Sequence, residues 1–296
     1  MSRPRVIVVA KKSALARLQG GEGDTRAQRL IDDGHETVRK WKPAHEQHAR
    51  AVELVYETLE KLGVETLLLH GAQAEFDPVG ASLVVSVGGD GTLLAASHNV
   101  SDVPLLGVNS APRYSVGFFC AARGRTTSSL LRRALEEKAP TVQLHRMAVR
   151  INGQIRSERV LNEALYCHAE PAATSNYIVQ AGGKKEEQRS SGIWVGPAAG
   201  STAALRSAGG RILPLTSKKL QMVVREPYVG RGRAPQLVRC VVAQEDKITA
   251  WSKMERVRVF LDGPYRMLRA RLGDEVSFEA STQPLTVVGL KKSRNP

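Results

Sequence analysis

The densest chemistry in the chain sits in Gly88-Gly89-Asp90-Gly91-Thr92, where three glycines within four residues surround one carboxylate. Glycine adopts positive φ and lets another group come close to the main chain. Successive N–H groups in such a turn, beside a helix N-terminus, attract phosphate. An aspartate placed there has no evident structural partner. Phosphate oxygens would repel it unless a divalent cation or a substrate hydroxyl intervened. Phosphoryl transfer needs that combination: cradled phosphates, Mg²⁺, and a hydroxyl nucleophile that is oriented or deprotonated. A plain turn with a solvated aspartate is the alternative. The β-branched run at 81–87 reads as a buried parallel strand. A small helix is expected over 92–97, with Thr92 near its N-terminus, and this context favours the phosphate reading.

Two later stretches suit a nucleotide. Leu161-Asn162-Glu163-Ala164 sets an amide beside a carboxylate. An amide reads donor and acceptor atoms of a base or carboxamide; a carboxylate takes two sugar hydroxyls. Adjacent strand residues face opposite ways, so both meet one ligand only near a strand end or twist. In Gly200-Ser201-Thr202-Ala203 a strand runs into a small-residue turn and then a short helix reaching Ser207. Hydroxyls and N–H groups there can bind an adenine edge or ribose; a serine-capped helix at a sheet edge is the alternative. Other positions are weaker. Lys11 and Lys12 end the first strand, where a phosphate or only solvent would meet them. Arg113 lies in a loop after the fourth strand, following Asn109. His45 and His48 read as surface residues with no third metal ligand, so no metal site is expected. Asp262-Gly263 reads as a hairpin turn outside any site.

The elements that must carry these residues fall into two textures. Strands are expected at 5–10, 64–69, 81–87 and 103–108. A helix is expected over 43–62, with Val52, Val55, Leu59 and Leu62 on one face. Together they make a doubly wound α/β domain. Residues 13–40 read as a long irregular insertion containing Gly20-Gly21-Glu22-Gly23. A helix is expected from 126 or 127 to about 137. Beyond it come Asn152-Gly153, a strong hairpin signal, and strand-like runs at 160–167, 177–180, 192–195, 220–225, 237–243, 256–261 and 276–279. This predicts a β-sandwich. The division expected is an α/β domain over 1–125 and a β domain over 126–279, with the segment at about 280–296 returning to the first.

The chain has 296 residues, and 42% of them are hydrophobic, ample for a core. Its 43 Lys and Arg against 29 Asp and Glu give a net charge of +14, which suits anionic ligands. The basic residues are scattered, so no specific nucleic-acid module is expected. Cys120, Cys167 and Cys240 make no CxxC pair and imply neither a disulfide framework nor a zinc site. No apolar stretch approaches a membrane span. A strand by Arg5 leaves no room for a leader, so a cytoplasmic setting is expected.

Taken with these motifs, the chain resembles the NAD kinase family. Gly88-Gly89-Asp90-Gly91-Thr92 is the signature of the superfamily that also holds lipid kinases. The Asn162-Glu163 pair follows at the family's spacing, and Gly200-Ser201-Thr202-Ala203 continues to Ser207-Ala208-Gly209-Gly210. The loop from Gly107 to Phe119, with Pro112 and Arg113, and Ser190-Ser191-Gly192 look most like the mitochondrial-type members. The likeness runs from about residue 5 to 290 and is least over 13–40. It implies an α/β domain followed by a β-sandwich NAD-binding domain, and transfer of a phosphoryl group from ATP or another donor to the 2′-hydroxyl of the adenosine ribose of NAD. It implies Asp90 as the catalytic residue, and Gly89, Gly91, Thr92, Asn109, Asn162, Glu163, Thr202, Ala203 and Ser207 as ligand-binding residues. Mg²⁺ as cofactor and a homo-oligomer, dimer or tetramer, follow by the same likeness. There are two departures. Ser191 stands where many bacterial members have aspartate, and Ala204 where many have a tyrosine on the adenine. The rival readings are a lipid kinase and a nucleotide- or polyphosphate-binding protein without catalysis.

Overall fold

In the computed structural model, which describes residues 4–22, 25–230 and 234–291, the chain divides into two units. The first comprises Met1–Val142 with Thr286–Leu290; the second is chiefly Gln143–Leu285. The division thus falls after Val142, where the expected boundary was 125, and the helix Thr126–Leu135 lies in the first unit. Gly23 and residues 292–296 lie outside the described residues.

The first unit is built on strands β1 (Arg5–Ala10), β2 (Glu65–His70), β3 (Leu83–Gly88) and β4 (Leu105–Asn109). They run parallel in the order β2-β1-β3-β4, continued by a late strand, Leu285–Val288, that pairs parallel with β4. β3 and β4 are buried along their whole length, as strands covered on both faces must be. Helices α1 (Ala14–Arg17), α2 (Thr25–Asp32), α3 (Trp41–Lys61), α4 (Asp90–Ser97) and α5 (Thr126–Leu135) accompany this sheet. Val55 and Leu59 of α3 pack into the core with Val6, Val8, Val85 and Leu106. Gly63, at φ +67°, ends α3 beyond Leu62. The segment expected to be irregular, 13–40, holds α1, α2 and a 3-10 turn at Glu36–Val38. Ser13 caps α1 by accepting the Ala16 N–H, a local signal outweighed in the sequence by the glycines that follow.

The second unit has two six-stranded antiparallel sheets. One contains the hairpin Met147–Ile151/Gln154–Val160, closed by Asn152 and Gly153 at φ 51° and 77°. Both residues need positive φ in such a two-residue turn, which explains the Asn-Gly pair. The other contains Ala164–His168, Ile193–Pro197, Leu220–Val224 and Val257–Leu261. Side chains of both sheets form one core, in which Tyr166 and Tyr177 meet edge to face at 5.8 Å. This is the β-rich half expected from the sequence.

Candidate active site

β3 delivers the chain into the glycine turn, and α4 begins two residues earlier than the expected 92–97: Gly89 is its N-cap and Asp90 its first residue. Gly88 and Gly89 are needed for space, not for left-handed backbone, since none of the three glycines has positive φ. A Cβ on Gly88 would overlap the Thr92 side chain, and one on Gly89 would strike the Ser115 hydroxyl. A Cβ on Gly91 would meet no atom within 4 Å, so this exposed glycine leaves the turn open on its outer side. Thr92 is buried beneath the turn.

Asp90 does have structural partners, contrary to the expectation. Its Oδ2 accepts the Phe118 N–H at 2.8 Å and its Oδ1 the Phe119 N–H at 2.7 Å. Those donors are 28 and 29 residues away in sequence, which is why local reading misses them. The loop that presents them is itself held by Asn109. The Asn109 amide donates to the Ser115 carbonyl at 3.0 Å and accepts the Ala111 N–H at 3.3 Å. Gly117, at φ +63°, packs directly on the Asn109 side chain. Asn109 therefore braces the loop that braces Asp90. Arg113 is exposed at its tip. Beside Asp90, burial and then the Asp90 charge push the Cys120 thiol up to about 12, so Cys120 stays a neutral thiol.

In the second unit, Leu161, Asn162 and Glu163 occupy a break between two strands, which lets neighbouring side chains serve one place. Asp262 builds that break. Its carboxylate accepts the N–H groups of Leu161 (2.9 Å), Asn162 (2.6 Å) and Glu163 (3.2 Å). Asp262 and Gly263 do form a turn, at φ 50° and 113°, but the side chain excluded from the site organises it. Gly196 and Gly200 then press against the Asn162 carbonyl so closely that a Cβ on either would collide with it. This seats the 3-10 turn Ala198–Thr202 and the short helix α6 (Ala204–Ser207) on the Asn162-Glu163 break. Ser201 is fully buried; its hydroxyl donates to the Ala198 carbonyl and accepts the Leu213 N–H. Thr202 and Ala203 are half-buried and Ser207 is exposed.

Two polar atoms there are buried without a partner: Asn162 Oδ1 and Glu163 Oε2. Burial, then the Asp262 charge, raise the Glu163 carboxyl to about 8, although the Ala204 main chain favours its ionised form. Glu163 is thus poised to titrate near neutrality. Gly192, at φ +114° and against the Tyr166 carbonyl, follows Ser191 where no side chain could stand.

The histidines differ from expectation. His48 is buried, and Ser13 Oγ lies 2.8 Å from His45 Nδ1. No group of three or more His, Cys, Asp or Glu among the described residues could hold a metal ion. Mg²⁺ is bound by one or two carboxylates together with substrate phosphates. A single carboxylate beside an open phosphate-type turn fits a cation carried by a nucleotide.

An α/β unit with an aspartate braced in a glycine turn, joined in one chain to a β-sandwich with a poised amide-carboxylate pair, defines a phosphotransferase of the nucleotide-handling kind. Comparison with known proteins narrows this. Residues 22–139 match the family described as the ATP-NAD kinase N-terminal domain. A probable NADH kinase of Oryza sativa subsp. japonica is 31% identical over 263 residues, covering 81% of each chain. An NADH kinase of Arabidopsis thaliana is 29% identical over 267 residues, covering 81% of this chain and 83% of its own. An NAD kinase of Methanospirillum hungatei is 32% identical over 158 residues, covering 53% of this chain and 56% of its own. The crystal structure of an NAD kinase from Archaeoglobus fulgidus in complex with ATP shares the fold. Its TM-score is 0.67 at 21% identity, over 97% of this chain and 94% of that one. The chain belongs to the NAD kinase family.

Proposed function

We propose that this chain is an NAD kinase in which Asp90 acts on the 2′-hydroxyl of the adenosine ribose of NAD. The observation that carries the assignment is the Asp90 carboxylate, the first residue of α4 after the glycine turn, fixed by two N–H donors. Each oxygen keeps a lone pair after accepting one N–H. Asp90 takes the hydroxyl proton as the ribose oxygen forms a bond to the terminal phosphorus of ATP. The bond from that phosphorus to the bridging oxygen breaks, and ADP leaves. Gly89, Gly91 and Thr92 cradle phosphates. When bound with the nucleotide, Mg²⁺ would supply charge compensation at the phosphates. Asn162 reads the base or carboxamide, Glu163 takes ribose hydroxyls, and Thr202, Ala203 and Ser207 line the other wall. Asn109 holds the loop that aims Asp90. A homo-oligomer is the state proposed with this reading, on the family likeness.

NADP formation by the purified protein with NAD, Mg²⁺ and ATP tests it, with polyphosphate as donor in a parallel reaction. NADP from either donor is expected; its absence in both, with NAD still bound, contradicts the proposal. NADH as acceptor is a second reading, supported by the names of the two plant relatives that match most of the chain. Running NAD and NADH side by side decides between them.

A further inference from the structure

The loop over residues 110–119 straddles the glycine turn at three successive points. At its start the Ser110 N–H donates to the Gly88 carbonyl at 2.8 Å. At its end the Phe118 and Phe119 N–H groups hold the Asp90 carboxylate. Between them the Ser115 hydroxyl lies so close to Gly89 that a Cβ there would collide with it. Gly88, Gly89 and Asp90 are thus met in order by the start, middle and end of one loop. The first and last contacts use the loop's main chain; the middle one uses a side chain.

Ser115 is held in that place from behind. Its carbonyl accepts the Asn109 amide at 3.0 Å. Gly117, at φ +63°, brings the chain down onto the Asn109 side chain. Tyr114 and Val116 on either side are exposed, Val116 to 87%, while Ser115 is half-buried. Burial of apolar surface does not explain a loop that leaves a valine in solvent and turns a serine inward. The Ser115 hydroxyl has no hydrogen-bond partner among the described residues, so its hydrogen and both lone pairs are open to a ligand.

We infer that Ser115 is a further catalytic residue, whose hydroxyl donates a hydrogen bond to a non-bridging oxygen of the phosphoryl group in transfer. The inference rests on the kinase reading above and adds a group that the three motifs do not contain. As the phosphoryl group passes to the ribose oxygen, negative charge is spread over its non-bridging oxygens. A donor fixed in advance at Gly89 meets that charge without reorganising, one residue from the carboxylate that takes the hydroxyl proton. The Ser115 proton stays on Ser115, and no bond to its oxygen forms. One loop then sets both groups, because the chain that presents Ser115 continues to the N–H groups that orient Asp90. Since the hydroxyl addresses the group transferred, its role is the same whichever donor supplies that group.

The test is the single-turnover rate of NADP formation by the full-length protein, with enzyme and Mg²⁺ in excess over NAD, so that product release does not enter. ATP and polyphosphate are used in turn, with the parent, Ser115→Ala, Ser115→Thr and Ser115→Val. Hydrogen bonds to charged groups are the strong ones, and Ser115→Ala is expected to lose about ten- to a hundredfold in rate. Its affinity for NAD should stay within about twofold of the parent's, as for an interaction made in the transition state. Threonine and valine share a shape and differ in the hydroxyl, so Ser115→Thr should exceed Ser115→Val by about tenfold or more. The thermal unfolding temperature of Ser115→Ala should stay close to the parent's, since the hydroxyl makes no hydrogen bond in the free protein. A Ser115→Ala variant at the parent rate, equal rates for the Thr and Val variants, or a rate loss matched by a fall in unfolding temperature overturns the assignment. Any of these in a parent that makes NADP leaves the kinase reading standing. A parent that makes NADP from neither donor removes the kinase reading itself, and the role of Ser115 with it.

Discussion

Glu163 is buried with one carboxylate oxygen unpaired, so its protonation is coupled to the stability of the fold. Glu163 is raised from an ordinary 4.5 to about 8 by burial and by Asp262. A carboxyl raised in the fold stabilises it fully below its unfolded value, and the contribution fades as pH rises through the folded value. Stability of the nucleotide-free protein should therefore fall between about pH 4.5 and 8 on account of this group. Glu163→Gln should flatten that limb, which thermal unfolding against pH would show. His48 acts at the other end. Its pKa is lowered from 6.5 to about 4 by burial and then by Lys11, so its contribution is present above 6.5 and is lost as pH falls through about 4. Asp262 acts through Asn162 and Glu163 rather than on a ligand. Asp262→Ala strands three N–H donors, and an unsatisfied buried donor costs about 1–3 kcal/mol. We expect KM for NAD to rise at least about tenfold with kcat changed far less, and Asp262→Asn to recover part of the loss. Equal loss in kcat and kcat/KM would contradict a positioning role.

At the scale of elements, the turn after β3 is set by clearance. Gly88→Ala would drive a methyl into Thr92, which is buried, and overpacking of this kind costs about 1–3 kcal/mol. Lowered thermal stability together with lost NADP formation is the expected outcome; a fully active, equally stable variant would show that the turn can relax. The glycine turn and the Gly200-Ser201-Thr202 stretch were legible in the sequence because their chemistry is local. So were β1, β3 and α3, whose apolar runs or periods survive in isolation. What was not legible depends on distant partners. The strand Lys184–Ser190 reads KKEEQRS and owes its form to pairing with Ser175–Ala181, not to its own propensity. Asp262 meets residues 99 to 101 positions earlier, so its sequence neighbours show only a turn. His48 looked like a surface histidine because β1 and β2, beside which it is buried, are invisible to a helical period.

For the whole molecule, the net charge of +14 suits anionic ligands such as nucleotides. The charge alone does not separate ATP from polyphosphate as donor. The family fold places a nucleotide-type turn and an amide-carboxylate break in one chain, and the central claim is that Asp90 makes that chain a catalyst rather than a nucleotide carrier. The most direct test is NADP formation from NAD and ATP by the parent and by Asp90→Asn, with NAD binding measured on both. A general base in this role contributes about 10²–10⁴-fold. The account predicts that the variant binds NAD as the parent does and loses at least about a hundredfold in turnover. A variant that makes NADP at the parent rate would contradict it.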